Sequence, residues 1–512
     1  MRASGDRVPG RRLEGAVGME QFRNIRILPD GRVLTASDGD NLLEILRRHG
    51  LGPEAPCGGH GSCGKCKVFV DGTQRLACGV TVTKDMTVSL PDPKASPSIL
   101  TEGIDAAEKA DPVREGLLLA FDIGTTTLVG YLLDGTGTAL AASGMLNPQR
   151  SYGADVVTRI QAALAGDMPR LTAAVRQALD ALTRKLCGEA GRGPEEIGTV
   201  CVVGNPCMQQ LFLGISPENL VQIPFSPVLT HAQITEAGDT LPLWGGAALL
   251  TVPDISGYIG ADTLACVMAT KLYDAADWTL MVDIGTNGEM VLGSRHRMIA
   301  CSTAAGPALE GANIRFGMCG VAGAIDHVWP ENGRLSCSVI GGGKASGICG
   351  SGLIDAVACA LELGTLNARG RILTTEERDG TRILPLTEEV YLTQEDIREV
   401  QLAKGAIAAG IHLMARTLGI ELSQIRRVLL AGAFGSYMDP ANACRIGLLP
   451  RALAGKVRAV GNAAGSGARQ MACSKEAFRQ SERVLKRIEF LELGSLPDFQ
   501  REFAKQMRFE ER

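Results

Sequence analysis

The sequence has few aromatic side chains and no excess of charge of either sign. Phe, Trp and Tyr account for 4% of its 512 residues, and 52 basic residues face 56 acidic ones, giving a net charge of −4. Such a chain does not hold nucleic acid or an anionic membrane by bulk charge. No apolar run approaches the ~18 residues that span a bilayer, and residues 1–18 lack the apolar segment of a secretory signal. We therefore expect no nucleic-acid partner, no membrane partner and a cytoplasmic location.

Glycine and cysteine are the residues in excess. Glycine occurs 63 times and cysteine 15 times, while 45% of the chain is apolar and 21% is charged. The last two values exclude a disordered, collagen-like or coiled-coil chain. Glycine-rich turns suit α/β nucleotide-binding folds, in which bare backbone approaches phosphate, although a proteome-wide bias toward small residues would also raise glycine. In a reducing compartment, clustered cysteines indicate metal or redox chemistry.

Four cysteines near the amino terminus have the spacing C-x5-C-x2-C-x11-C. They follow a predicted hairpin, with strands at 23–28 and 32–37, and a short helix at 41–49 capped by Asp40. Three thiolates on one glycine-rich loop suit a [2Fe–2S] cluster, because glycines let the loop wrap the cluster and point N–H groups at its sulfurs. A four-cysteine zinc site is the alternative, but such sites usually combine two separated pairs. The predicted cluster ligands are Cys57, Cys63, Cys66 and Cys78.

Two copies of one strand-and-turn motif follow. Each is an apolar strand ending in Asp, then a glycine turn with hydroxyl or amide side chains. One copy alone is often just the end of a strand, but a duplication predicts two lobes whose turns face each other around a polyphosphate. Each Asp would then reach a magnesium ion through water. The first copy supplies Asp122, Gly124, Thr125, Thr126 and Thr127, and the second supplies Asp283, Gly285, Thr286, Asn287, Gly288 and Glu289. A third segment, a buried strand ending in a glycine turn suited to adenosine, supplies Gly432, Ala433, Phe434 and Gly435.

With these motifs, residues 116–475 resemble the superfamily of ATPases that includes actin, sugar kinases and heat-shock chaperones. The resemblance implies a two-lobed α/β, ribonuclease H-like core that binds ATP with Mg²⁺. It also implies an acidic residue near the attacking water, on the helix that connects the lobes. Asp262, which opens a helix predicted over 263–272, is the candidate, and a helix cap is its alternative role. With Asp122, Asp283 and Glu289 it completes the set of catalytic candidates.

The amino-terminal segment resembles the [2Fe–2S] ferredoxin domains of the α+β, β-grasp fold. The chain also carries several familiar local motifs, at 147–149, 152–156, 204–205, 224–227, 303–308 and 349–355. With the two domains in this order, residues 20–475 resemble the reductive activators of corrinoid proteins, or corrinoid-activation ATPases. The resemblance implies ATP-dependent electron transfer from the cluster to a Co(II) corrinoid, which regenerates Co(I) for methyl transfer. The implied partners are a corrinoid protein of a methyltransferase system and an upstream low-potential reductant.

The predicted domain organisation is a disordered extension at 1–19, a ferredoxin-like domain at 20–92, a linker at 93–115, a first ATPase lobe with middle-domain elements at 116–275, a second lobe at 276–475, and a helical tail at 476–512. Three other functions stay open at this point. They are activation of another low-potential metalloenzyme, such as a 2-hydroxyacyl-CoA dehydratase, a redox-regulated small-molecule kinase, and an electron carrier whose ATPase core is inactive. The oligomeric state is also open, with a homodimer as one option.

Overall fold

The computed structural model describes residues 22–53, 55, 57–61, 64–90, 99–104, 109–285 and 287–510. The predicted extension at 1–19, Cys63, Thr286 and the side chain of Ala433 lie outside the described part, as do 93–98 and 105–108 of the predicted linker. The chain divides into two compact units, Met1–Asp92 and Pro93–Arg512.

In the first unit, a mixed sheet packs against a short helix. Its described elements are β1 (Phe22–Leu28), β2 (Val33–Ser37), α1 (Leu42–Arg48), β3 (Lys67–Val70), β4 (Thr73–Leu76) and β5 (Met86–Ser89), with strand order β2-β1-β5-β3-β4. The antiparallel pairing of β1 with β2 confirms the predicted hairpin. The predicted cap of α1 is wrong by one residue. Asn41 Oδ1 accepts the Leu43 N–H at 3.0 Å, whereas the Asp40 carboxylate accepts the Ser37 N–H at 2.9 Å.

The second unit begins with a sheet covered by helices. Its first described elements are β6 (Leu117–Ile123), β7 (Thr127–Leu133), β8 (Ala139–Leu146), α2 (Val156–Ala162), α3 (Met168–Ala190), β9 (Ile197–Gly204), α4 (Pro206–Leu213), β10 (Gln233–Glu236), α5 (Ala237–Thr240), β11 (Ala248–Thr251) and α6 (Ala261–Thr270). The strand order is β10-β11-β9-β6-β7-β8. The Phe121 ring stacks on Trp244 in the core on one side of this sheet, with ring centroids 5.7 Å apart.

A second large sheet and two small ones follow in the same unit. The described elements are β12 (Thr279–Ile284), β13 (Gly288–Gly293), β14 (Met298–Thr303), β15 (Ala324–Glu331), β16 (Arg334–Val339), β17 (Gly347–Ile348), α7 (Gly350–Leu363), β18 (Glu377–Arg378), β19 (Thr381–Pro385), β20 (Tyr391–Thr393), α8 (Gln394–Leu418), β21 (Arg427–Ala431), α9 (Gly432–Tyr437), α10 (Pro440–Arg445), β22 (Val457–Gly461), α11 (Ala463–Cys473), α12 (Lys475–Leu485), β23 (Ile488–Phe490) and α13 (Phe499–Gln506). The large sheet has the order β22-β21-β12-β13-β14-β23. The segment predicted as a helical tail therefore also contributes the edge strand β23.

The two large sheets share one topology. In the first, the antiparallel strands β6, β7 and β8 are extended by β9 and β11, which run parallel to β6. In the second, β12, β13 and β14 are extended in the same way by β21 and β22. Because β6–β7 and β12–β13 occupy equivalent places, the two Asp-ended motifs lie at equivalent turns. The repeated arrangement is the duplication that the two motifs predicted.

Helices α6 and α11 pack against each other with very little space between their backbones. A Cβ on Gly467 would lie 2.7 Å from Ala265 Cα and would overlap the Ala265 carbonyl oxygen. Apolar side chains of both large sheets and of these helices form one continuous core. Within the described ranges, no helix is both long enough and apolar enough to cross a membrane.

The close approach of these helices gives a stability prediction. We expect Gly467→Ala to force α11 away from α6 and to destabilise the second unit by roughly 1–3 kcal/mol. Gly188→Ala is the matched control, because a Cβ there meets nothing within 4 Å on the exposed side of α3, and it should stabilise by about 0.5–1 kcal/mol. Tryptophan fluorescence during unfolding reports on this unit, since Trp244, Trp278 and Trp329 all lie in it. Equal unfolding midpoints for the two variants would contradict the packing.

Candidate functional site

The first predicted phosphate turn joins β6 to β7 and follows Asp122. The Gly124 N–H donates to the Thr127 carbonyl oxygen at 2.9 Å, which closes the turn. A Cβ on Gly124 would lie 2.8 Å from that oxygen, so the tight closure requires glycine. Thr125 and Thr126 lie between the two residues and are half-buried. The turn thus carries two hydroxyl groups next to a carboxylate.

The second turn, between β12 and β13, is closed by a similar hydrogen bond but is one residue shorter. The Gly285 N–H donates to the Asn287 carbonyl oxygen at 2.9 Å. Asp283 pairs directly with Glu289 across the two antiparallel strands. Side chains of directly opposed residues lie on the same face of a sheet. The Asp283 and Glu289 carboxylates therefore share one face, beside the turn.

Asp262 lies in the first turn of α6. Gly260, and not Asp262, occupies the cap position of this helix. Asp262 Oδ1 accepts the N–H of the next residue, Thr263, at 2.7 Å. A Cβ on Gly260 would overlap the backbone of Gly204 and Asn205. The start of α6 is therefore pressed against the residues that follow β9.

The four candidate carboxylates are buried, and the charge of Asp262 acts on the other three. Burial, followed by the charge of Asp262, raises the pKa of Asp122 and of Asp283 to about 7, and burial raises the pKa of Asp262 to about 6. Burial and the charges of Asp262 and Asp283 raise the pKa of Glu289 well above its usual range. Like charges act this way at short range, so the fold brings the four carboxyls together. Among the described residues, however, no three potential ligand side chains lie close enough to hold one metal ion.

The third motif borders the second turn. Gly432 is the first residue of α9, so the expected glycine turn is in fact a helix amino terminus. The φ of Gly432 is 80°, and a Cβ on it would lie 2.7 Å from Asp283 Oδ1. Phe434 packs against Gly350 at the start of α7, where a Cβ would lie 2.7 Å from Phe434 Cε2. Gly435 packs with similar closeness on Leu430. The motif thus contacts both the second turn and the 349–355 segment.

Three side chains that were not predicted as site residues donate hydrogen bonds to the first turn. Asn147 Nδ2 donates to the Gly124 carbonyl at 2.8 Å, and Asn205 Nδ2 donates to Thr125 Oγ1 at 3.0 Å. Arg159 donates to the Thr125 carbonyl. This arginine is fully buried, and burial lowers its pKa to about 10. Asn147 and Asn205 belong to the motifs at 147–149 and 204–205, which carried a signal in the sequence without revealing this role.

Asn462 connects the first turn to the second half of the unit. Its Nδ2 donates to Asp122 Oδ2 at 3.0 Å, and its Oδ1 caps α11 by accepting the Gly465 N–H at 2.7 Å. Its backbone N–H donates to the Glu102 carbonyl at 2.8 Å. The Tyr131 hydroxyl donates to the carbonyl oxygen of Thr101, which precedes Glu102 in the predicted linker, at 2.9 Å. The described part of the predicted linker is therefore docked on the residue that contacts Asp122.

A buried polar chain connects the first turn to Asp262. Asn205 caps α4, and Gln209 of the same helix donates to Asp254 Oδ1 at 2.8 Å. The same oxygen accepts the N–H of Ala261, the first residue of α6, at 3.2 Å. Burial raises the pKa of Asp254 well above its usual range. These contacts fix the start of α6 relative to the first turn.

The cysteine loop lies in the first unit. Cys66 precedes β3 and Cys78 follows β4, and this hairpin brings their Sγ atoms to 3.3 Å. Cys66 is buried, whereas Cys57 and Cys78 are half-buried. Four loop glycines, Gly58, Gly59, Gly61 and Gly64, have positive φ, which lets the backbone curve around the thiols. The three described cysteines and this curvature fit a [2Fe–2S] cluster, and the fourth ligand, Cys63, stays a prediction.

Three family models match consecutive parts of the chain. Residues 25–86 match the 2Fe-2S iron-sulfur cluster binding domain, 117–275 the RACo middle region, and 277–512 the C-terminal domain of RACo, the ASKHA domain. The corrinoid activation enzyme RamQ of Eubacterium limosum is 35% identical over an alignment of 421 residues, and the match covers 77% of this chain and 70% of that protein. The chain belongs to the corrinoid activation enzyme family.

A second relative and a solved structure agree with this assignment. The [Co(II) methylated amine-specific corrinoid protein] reductase of Methanosarcina barkeri is 30% identical over 262 residues, and the chain spans 47% of its length. The solved structure of a reductive activator for corrinoid, iron-sulfur protein has a TM-score of 0.70 and 26% identity, covering 95% of this chain and 98% of that one. The predicted family and the predicted fold, a ferredoxin-like domain followed by an actin-like ATPase core, are confirmed. As a corrinoid activation enzyme, the chain has domains that bind a [2Fe–2S] cluster and ATP.

The raised pKa of Asp283, one of the four carboxylates, gives a prediction for the thermal stability of the metal-free protein. The pKa of Asp283 in the fold is about 7, above the ~3.9 of an unfolded chain. Ionised Asp283 therefore costs stability, and the cost grows as the pH rises from about 4 through 7. We expect Asp283→Asn to raise the thermal unfolding midpoint in EDTA at pH 8, and to change it much less at pH 5. Exposed Asp277→Asn is the control, and a lowered midpoint for Asp283→Asn at pH 8 would contradict the cost of burying an ionised Asp283 beside Asp262.

Proposed function

We propose that this chain uses ATP to return the Co(II) corrinoid of a partner protein to the Co(I) state that methyl transfer requires. The observation that carries the proposal is the combination, in a corrinoid activation enzyme, of a cysteine loop fitted to a [2Fe–2S] cluster with a duplicated phosphate-turn core. An electron carrier needs no nucleotide core, and a small-molecule kinase needs no electron source. The combination therefore favours activation over both alternatives.

The first unit provides the place for the electron donor. When bound, the cluster supplies one electron at low potential, near −400 mV in plant-type ferredoxins, and a Co(II) corrinoid is harder to reduce. Cys57, Cys63, Cys66 and Cys78 would hold the cluster. Because Cys57 and Cys78 are half-buried, this edge of the unit can be approached by a partner protein.

The second unit provides the nucleotide site. The Thr125, Thr126, Thr286 and Asn287 side chains and the two backbone turns would hold the phosphates. Neither turn contains Lys or Arg, so Mg²⁺ bound to the phosphates must supply the positive charge. Asp122 and Asp283 would hold this ion through its water ligands, with Glu289 beside them and Asp262 near the attacking water. Residues 432–435, at the start of α9, would hold the adenosine.

ATP can promote an uphill electron transfer only by stabilising one state of the protein over another. The two large sheets, each with one phosphate turn, are the elements that a bound triphosphate would draw together. The closed state would then favour the complex in which cobalt accepts the electron. We also propose an upstream low-potential reductant and a cytoplasmic location, with a homodimer as one possible assembly.

The test is an anaerobic optical experiment. The reduced protein is mixed with a Co(II) corrinoid protein, and the Co(I) absorption band is followed with and without Mg-ATP. We expect Co(I) only with Mg-ATP in the wild type and none with Cys78→Ala. The control Cys337→Ala, which changes a half-buried cysteine of β16, should retain activity. Co(I) formation by Cys78→Ala at the wild-type rate would contradict the assignment of the electron source.

An assay of ATP hydrolysis distinguishes the proposed activator from a small-molecule kinase and from an electron carrier. We expect Asp283→Ala to reduce Mg-dependent ATP hydrolysis by roughly 100-fold and to abolish Co(I) formation with it. Phosphate is measured as free phosphate and on added sugar or acyl acceptors. Transfer to an acceptor in place of water would indicate a kinase. Full Co(I) formation by Asp283→Ala would indicate an electron carrier that does not use its ATPase core.

A further inference from the structure

Glu310 spans the space between the two phosphate turns. Its Oε2 accepts the Thr126 hydroxyl of the first turn at 3.1 Å. Its Oε1 lies 3.7 Å from the position that a Cβ on Gly285 of the second turn would take. One side chain thus contacts the first turn and borders the second. It stands two residues beyond the 303–308 motif, and the proposed function gives it no role.

The backbone around Glu310 is tightly fixed. The preceding residue, Leu309, is buried, and its carbonyl oxygen lies so close to Gly350 that a Cβ there would overlap it. The following residue, Gly311, has a φ of 83°, and a Cβ on it would lie 2.6 Å from the Met318 nitrogen. The carboxylate therefore extends toward the turns from a rigid base.

The charge of Glu310 also has a nearby counterpart. Burial is the main influence on the pKa of Arg159, which it lowers, while Glu310 is among the negative groups that act in the opposite direction. Arg159 donates to the Thr125 carbonyl, so it supports the same turn from behind. Glu310 and Arg159 thus act on adjacent residues of the first turn, one through a hydroxyl and the other through a carbonyl.

We propose that Glu310 is a positioning residue of the ATPase site, which aligns the two phosphate turns by holding the Thr126 hydroxyl. The first turn is then held in one position through Thr126, and the second turn lies at a fixed distance from it. This role presupposes the ATP hydrolysis of the proposed function. It requires a hydrogen-bond acceptor at residue 310 rather than a negative charge, because Thr126 only needs an oxygen to donate to.

The test compares variants of the full-length protein in Mg-dependent ATP hydrolysis. We expect Glu310→Ala to lower kcat by on the order of 10- to 100-fold, the effect of a small misplacement, with a smaller change in KM. Glu310→Gln keeps an acceptor oxygen and should stay within about threefold of the wild type. The control Glu331→Ala removes a similar contact outside the site, where Ser336 Oγ donates to Glu331 Oε2 at 2.7 Å, and kcat should not change.

A double variant tests whether Glu310 acts through Thr126. We expect Glu310→Ala to lower kcat by no more than about twofold when it is added to Thr126→Val, because the contact is already lost. Tryptophan fluorescence during unfolding checks that every variant folds.

Three outcomes would overturn the role. If Glu310→Gln is as inactive as Glu310→Ala, the charge itself is required and Glu310 is more than an acceptor. The contact does not align the turns if Glu310→Ala keeps the wild-type kcat. The same conclusion follows if Glu310→Ala lowers kcat as much in the Thr126→Val background as it does in the wild type. If the wild type hydrolyses no ATP, the proposed function fails first, which is a different result from an active wild type with insensitive variants.

Discussion

The candidate site of the second unit depends on one constraint: four carboxylates lie near two turns that contain no Lys or Arg. Asp122, Asp262, Asp283 and Glu289 come from four different elements, and burial together with the charge of Asp262 raises the pKa of each of the other three. Neither turn contributes a Lys or Arg to offset them. In the proposed function, a divalent cation bound with the nucleotide would answer both needs. It would neutralise the phosphates and would let the neighbouring carboxyls stay ionised.

Three neighbouring side chains hold the first of these turns in shape. Its carbonyl and hydroxyl oxygens accept hydrogen bonds from Asn147, Asn205 and Arg159, so the shape of the turn does not depend on a ligand. Asn462 then bonds to the Asp122 carboxylate and to the Glu102 backbone. One side chain thus links Asp122 to the segment that follows the ferredoxin-like unit in the sequence.

The sequence allowed prediction where a pattern is local. Cysteine spacing predicted the loop, and two Asp-ended strands predicted the duplicated sheets, because period, spacing and glycine turns are encoded in short windows. Contacts between distant segments were not predictable. Asn462 meets Asp122 across 340 residues, and Glu310 meets Thr126 across 184, and no local pattern pairs them. The cap of α1 was misplaced by one residue because Asp40 and Asn41 are both good caps, and only the fold decides between them. The roles of the candidate site residues stay predictions.

The most direct test of the central claim is calorimetric titration of the full-length protein with a non-hydrolysable ATP analogue, with Mg²⁺ and in EDTA. If the four carboxylates need a cation, the analogue binds with Mg²⁺ and loses at least about 100-fold in affinity in EDTA, the cost of an uncompensated charge in a partly buried site. Equal affinity in both conditions would show that the protein neutralises the phosphates by itself. Such a result would contradict the need of the four carboxylates for a cation.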